Sequence, residues 1–154
     1  RLGRVAVVLA AVAALPGPAA AEVPLADCAA AVGTYLVRNS LPDGDGGVII
    51  NVSSSGALYP LPQVVPYSGA KSALNAMTVS FAREYGPKVR INTLSPGPFL
   101  TDIAKAWTPE ARETSNNALG RPGKPEEIVT AALFLASPAS SFTTGAIIRV
   151  DGGS

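Results

Sequence analysis

The sequence predicts an α/β fold built on a parallel sheet, and two observations carry this. From Gly47 onward strand-like and helix-like segments alternate, the pattern of strands joined by helical crossovers. The run GVIINVSS, Gly47 to Ser54, is β-branched with little polar alternation, as expected of a central strand covered on both faces. At 154 residues the chain fits one domain. With 47% hydrophobic and 15% charged residues it reads as globular.

The elements follow in order. After the first strand, PYSGAKSALNAMTVSFAREYG, Pro66 to Gly86, begins as a turn and continues as a helix, with Ala70, Leu74, Met77 and Phe81 forming one apolar stripe at helical spacing. KVRINTLSPG, Lys88 to Gly97, reads as a second strand stopped by Pro96 and Gly97. A polar, lid-like stretch from Pro98 to Gly123 contains a short helix with Thr108 as N-cap and Pro109 at its first position. KPEEIVTAALFLAS, Lys124 to Ser137, starts with acidic residues and places Ile128, Ala131, Ala132 and Leu135 on one face, an amphipathic helix. GAIIRVDGG, Gly145 to Gly153, is the last strand and turn. Before Gly47 the pattern is weaker: a strand near Arg4 to Leu9, a Pro/Ala-rich loop, and a helix within Leu25 to Asn39.

Composition removes several function classes. The net charge of +1 gives no electrostatic footprint for nucleic acid or an anionic membrane. With no histidine and only Cys28, the chain lacks the usual zinc ligands, a disulfide framework, and any Ser-His or Cys-His pair. The apolar run Val5 to Leu15, preceded by Arg1 and Arg4 and followed by PGPAAAE, reads either as a strand or as a secretory signal cleaved after Ala21. It is too short to span a membrane.

Chemistry enters through Tyr67 and Lys71, four residues apart on the helix that begins near Pro66. Residues i and i+4 are neighbours, so the ammonium comes within hydrogen-bond or close Coulomb range of the phenol. A nearby cation favours the phenolate and makes the tyrosine a better acid and base. A tyrosine capping a core and a lysine snorkelling to water would leave the same pattern. The surroundings favour the chemical reading. Ser54 ends the first buried strand thirteen positions before Tyr67, at the sheet edge where open α/β folds bind ligands. Pro96-Gly97 ends the next strand with a turn that allows close backbone approach.

With these pieces in place, the chain resembles the carboxyl-terminal part of a short-chain dehydrogenase/reductase. IINVSS, PYSGAK, RINTLSPGPFLTD, GRPGKPEEIVTAALFLAS and TTGAIIRVDGG occur in order and at that family's spacing, from Gly47 to Gly153. The resemblance implies a partial Rossmann-like, doubly wound parallel sheet with flanking helices, carried by residues 47–154 with the YxxxK motif. It implies an NAD(P)-dependent oxidoreductase moving hydride between nicotinamide and an alcohol or ketone. Tyr67 would be the general acid/base; Lys71 would tune the tyrosine and bond the nicotinamide ribose. Ser54 would hold the substrate oxygen, the thirteen-residue spacing selecting it over Ser53 and Ser55. Pro96, Gly97 and Thr101 would adjoin the cofactor, although Thr101 also suits an N-cap. Phe99, Ile103 and Trp107 would line an apolar substrate pocket. Asn92 reads as structural.

The resemblance also marks departures. The glycine-rich first βαβ unit that cradles a dinucleotide pyrophosphate has no counterpart here, since GDGG, Gly44 to Gly47, precedes its strand. GRVAVV resembles the family's first strand. RLGRVAVVLAAVAALPGPAAAEVPLAD lines up better with the fourth strand and the loop after it. In that register Ala10, Ala11, Val12 and Ala13 replace the Asn-Asn-Ala-Gly motif, Ala6 replaces an aspartate, and Ala30 replaces the asparagine of the catalytic tetrad. Residues 1–46 are thus expected to be a divergent or truncated amino-terminal segment. The expected cofactor is NAD or NADP, with the preference unread. The expected substrate is an uncharged small-molecule alcohol or carbonyl. Ala73, Ala76 and Ser80 form a small-residue helix face, which with the resemblance implies a homodimer or homotetramer. No nucleic-acid or membrane partner is expected, and the location is expected to be cytoplasmic, or exported if residues 1–21 are a signal. The competing reading is a truncated, inactive derivative that only binds or assembles.

Overall fold

A computed structural model describes residues 47–59, 62 and 64–154. The expectations for the strand near Arg4, the helix within Leu25 to Asn39 and the signal lie outside the described residues. Three strands, β1 (Gly47–Val52), β2 (Val89–Pro96) and β3 (Ile147–Val150), form a parallel sheet in the order β1-β2-β3. Gly47 pairs with Val89 and Val52 with Leu94, while Thr93 pairs with Ile147 and Pro96 with Val150. Because all strands run the same way, Ser53, Gly97 and Asp151 leave the sheet at one edge. The expected central position of β1 is not met among the described residues, where β1 is an edge strand and β2, paired on both sides, is the central one.

Helices cover both faces, which is why the strands carry few polar alternations. On one face α1 (Val65–Tyr85) brings Ala82 against Ile49, Val89 and Ile91. On the other, α3 (Val129–Ala136) inserts the fully buried Leu135 between Ile50 and Leu94. Complete burial of such a side chain stabilises by about 1.5–3 kcal/mol. Lys124 to Ser137 therefore folds as expected on its inner face, where Ile128, Ala131 and Ala132 pack on the sheet. The expected amphipathicity fails on the outer face: Val129, Leu133 and Phe134 are exposed. The first turn is a 3-10 helix, Pro125–Ile128, with Glu127 accepting from the Lys124 N–H at 2.7 Å.

The apolar stripe expected on α1 needs correction. Ser68, Leu74, Asn75, Thr78 and Ala82 are the buried residues, whereas Ala70 is exposed and Met77 and Phe81 are only half-buried. The buried face is turned by roughly 100°, one residue's rotation. Polar groups on the sheet explain the turn: Asn51 and Thr93 are buried opposite α1 and bond Thr78. The rotation puts Lys71 at the centre of the buried face rather than on its margin.

The stretch from Pro98 to Gly123 is closed at its base. Leu100 N–H donates to Gly123 O and Gly123 N–H to Pro98 O, both at 2.9 Å. Within it lie a 3-10 turn, Asp102–Ala106, and α2 (Pro109–Glu113), whose N-cap Thr108 accepts from Ala111 N–H as expected. Arg112 fastens the two together through Ala104 O and Lys105 O. No helix among the described residues is long and apolar enough to cross a membrane.

Candidate active site

Three serines leave β1, and the structure separates them. Ser53 is buried, its hydroxyl donating to Lys71 O at 3.3 Å. Ser54, half-buried, caps the 3-10 turn Ser55–Ala57 and accepts from Gly56 N–H at 3.1 Å. That turn is tied to α1 by Ser72, whose hydroxyl lies 2.9 Å from both Ala57 O and Ser68 O. A Cβ placed on Gly56 would lie 3.4 Å from Ser54 Oγ and 3.7 Å from the Tyr67 ring edge. The serine hydroxyl and the phenol ring thus flank one small gap, kept open because residue 56 has no side chain.

Tyr67 stands in the first turn of α1, its side partly open to solvent, with 46% of the residue exposed. Lys71 reaches under it: Nζ is 5.8 Å from the ring centroid and donates to Val52 O at 2.9 Å. Burial pulls the Lys71 amine below its ordinary value, because desolvation penalises the charged form. An ammonium has three donors, so the Val52 bond leaves two for a ligand. Val52 O and the Gly56 gap are features that sequence reading missed. A glycine two positions after the strand-end serine was the available signal for the gap.

The remaining sequence-derived residues divide. Gly97 packs against the end of β3: its N–H donates to Val150 O at 3.0 Å, and a Cβ there would sit 2.7 Å from Asp151 Cα. The close approach expected of Pro96-Gly97 is therefore made to Asp151. Thr101 is exposed at the N-cap of the Asp102–Ala106 turn, without a side-chain cap bond. Phe99 lies against Gly123, where a Cβ would come within 2.6 Å of its ring. It lines a hollow with Leu119, Arg121 and Val150, whose walls do not include Ser54, Tyr67 or Lys71. Ile103 is 68% exposed and Trp107 is half-buried. Asn92 replaces backbone partners, donating to Thr143 O and accepting from Ala146 N–H, so its role is structural.

Comparison with known proteins decides the family. Residues 20–154 match the family described as enoyl-(acyl carrier protein) reductase. The chain belongs to the short-chain dehydrogenase/reductase family. Within that family it is 42% identical over 130 residues to sorbose reductase of Candida albicans, covering 82% of this chain and 45% of the relative. Among solved short-chain dehydrogenases/reductases, glucose/ribitol dehydrogenase of Brucella melitensis superposes with a TM-score of 0.70 at 34% identity, covering 78% of this chain and 50% of that one. A 4-hydroxyisoleucine dehydrogenase complexed with NADH gives 0.65 at 28% identity, covering 82% and 52%. The chain thus spans about half the length of the family members it matches.

Proposed function

We propose that this chain carries the proton-transfer site of an NAD(P)-dependent oxidoreductase acting on an alcohol or ketone. The observation that supports it most is the gathering of Ser54 Oγ and the Tyr67 ring around the Gly56 gap, with the Lys71 ammonium beneath the ring. When bound, a nicotinamide coenzyme supplies or accepts the hydride. Tyr67 gives a proton to the substrate oxygen in reduction and takes it back in oxidation. Ser54 Oγ, which accepts from Gly56 N–H, turns its own proton toward the same oxygen and stabilises charge developing there.

Lys71 keeps positive charge near the phenol and offers its two remaining N–H groups to a ribose hydroxyl pair. This donor set fits the nicotinamide end of the coenzyme. Gly97 and Pro96 border the same sheet edge, and the Thr101 hydroxyl, free of a cap bond, is a further donor. Ile103 and Trp107 form the apolar side for the substrate. Residues 47–154 carry the catalytic motif in this reading.

Turnover of simple secondary alcohols and ketones with each coenzyme tests this. Tyr67→Phe is expected to lower kcat about 10²- to 10⁴-fold, the usual contribution of positioned proton transfer. Equal turnover by parent and variant would reject Tyr67 as acid/base.

The competing reading is an assembly partner without turnover. It draws support from apolar residues on the outside, including Leu133, Phe134 and the fully exposed Phe142. Coenzyme binding without turnover in the parent would favour an assembly role that keeps the site; neither would favour assembly alone. A homo-oligomer is common to both readings, and Ala73, Ala76 and Ser80 are exposed on α1 as close packing would need.

A further inference from the structure

We propose that Thr78 is a positioning residue that fixes where α1 sits along β1 and so holds the Lys71 ammonium on the Val52 carbonyl. Thr78 is fully buried between α1 and the sheet. Its hydroxyl accepts from Asn51 Nδ2 on β1 and from the Thr93 hydroxyl on β2, both at 2.8 Å, and donates to Leu74 O at 2.9 Å. A hydroxyl has one donor and two acceptor positions, so every position is filled. One side chain joins three elements at a single atom.

The buried neighbours Leu74, Asn75, Ala82 and Ser95 do not share the task. Asn75 Oδ1 and Ser95 Oγ are buried without hydrogen-bond partners. Leu74 and Ala82 make apolar contacts, which are not directional and tolerate sliding. Hydrogen bonds do not tolerate it. A slip of α1 by one residue is about 1.5 Å, enough to carry the 2.9 Å Lys71–Val52 bond out of range. Asn51 immediately precedes Val52, and Ser53 bonds Lys71 O. Consecutive β1 residues are therefore bonded to α1 at Thr78 and at Lys71, two turns apart, and fixing the first fixes the second.

The catalytic meaning of this register rests on the function proposed for Lys71; the register itself does not. The test is residue-resolved amine labelling of the full chain at one fixed pH, without coenzyme or substrate, read by peptide mass spectrometry. Lys105, exposed on the Asp102–Ala106 turn, serves as internal reference. Thr78→Val is expected to raise the Lys71 rate about two- to fivefold relative to Lys105, the factor that loosening one net hydrogen bond implies. Thr78→Ser, which restores the hydroxyl, is expected to label as the parent does. If Thr78→Val does not fold, Asn51→Ala decides alone, with a rise in the same direction, because it removes the bond to β1 while the Thr93 and Leu74 bonds survive. An unchanged Lys71 rate in a folded variant, or a uniform rise at Lys71 and Lys105, would overturn the proposal. A raised Lys71 rate in Thr78→Val with turnover unchanged would leave the register proposal standing and count instead against the function proposed for Lys71.

Discussion

Lys71 shows how much a single residue's meaning depends on what its helix faces. Four-residue spacing placed it beside Tyr67, and the structure agrees, with Nζ 5.8 Å from the ring. Thirteen-residue spacing to Tyr67 selected Ser54; burial sets Ser53 apart, since it turns inward, and leaves Ser54 and Ser55 alike half-buried. The depth of Lys71 was not legible. Hydrophobic periodicity counts Ser68, Asn75 and Thr78 as outward residues, yet they are buried; for Thr78 the reason is that the sheet offers Asn51 and Thr93 as partners. The contact that makes Gly97 irreplaceable was equally hidden, since its neighbour Asp151 is distant in sequence. Gly97→Ala is expected to lose about 1–3 kcal/mol in chemical denaturation, the usual range for overpacking, as its Cβ would meet Asp151 backbone at 2.7 Å.

Among the elements, α3 depends on a side chain from another strand. Arg90 of β2 donates to Leu135 O and Ser137 O at the helix end, and to Ser140 Oγ and Thr143 O just beyond. A cation there satisfies carbonyls that a helix leaves unpaired and suits the negative end of its dipole. Burial pulls the guanidinium below its ordinary value, so the bonds offset a desolvation cost. Arg90→Ala is expected to lower stability by about 2 kcal/mol, as lost charge-assisted bonds do, with Leu135 less protected in hydrogen exchange.

The start of the same helical segment is held differently. Glu127 pairs with Arg121 through two oxygens and accepts from Lys124 N–H. Chiefly through the Arg121 bond its value is lowered from 4.5 to about 2. A depressed carboxyl contributes stability above its unfolded value and loses it as pH falls toward the folded one. The parent is thus expected to lose, between pH 4.5 and about 2, an increment that Glu127→Gln does not lose, measured as the difference between their acid unfolding curves.

For the molecule as a whole, strand alternation and buried β-branched runs made the parallel sheet legible, and ordered motifs made the family legible. The direction in which α3 presents its second apolar face was not, because TAALFLAS carries too few polar residues to mark an outside. The result is Leu133 and Phe134 in solvent, and Phe142 and Ile147, beyond the helix, are exposed as well. Surfaces of that kind are covered in stable proteins. Gel filtration at micromolar concentration is expected to give an oligomer, and Phe142→Asp combined with Leu133→Glu to shift it toward monomer. A clean monomer in the parent would contradict this.

The account turns on one cluster of Ser54, Tyr67 and Lys71 serving a nicotinamide coenzyme. Titration of the chain with NADH, followed by nicotinamide fluorescence, tests it most directly. Binding tighter than about 1 mM is expected, weakened about tenfold or more by Lys71→Met as a charge-assisted contact is lost. No binding, or equal binding by parent and variant, would contradict it.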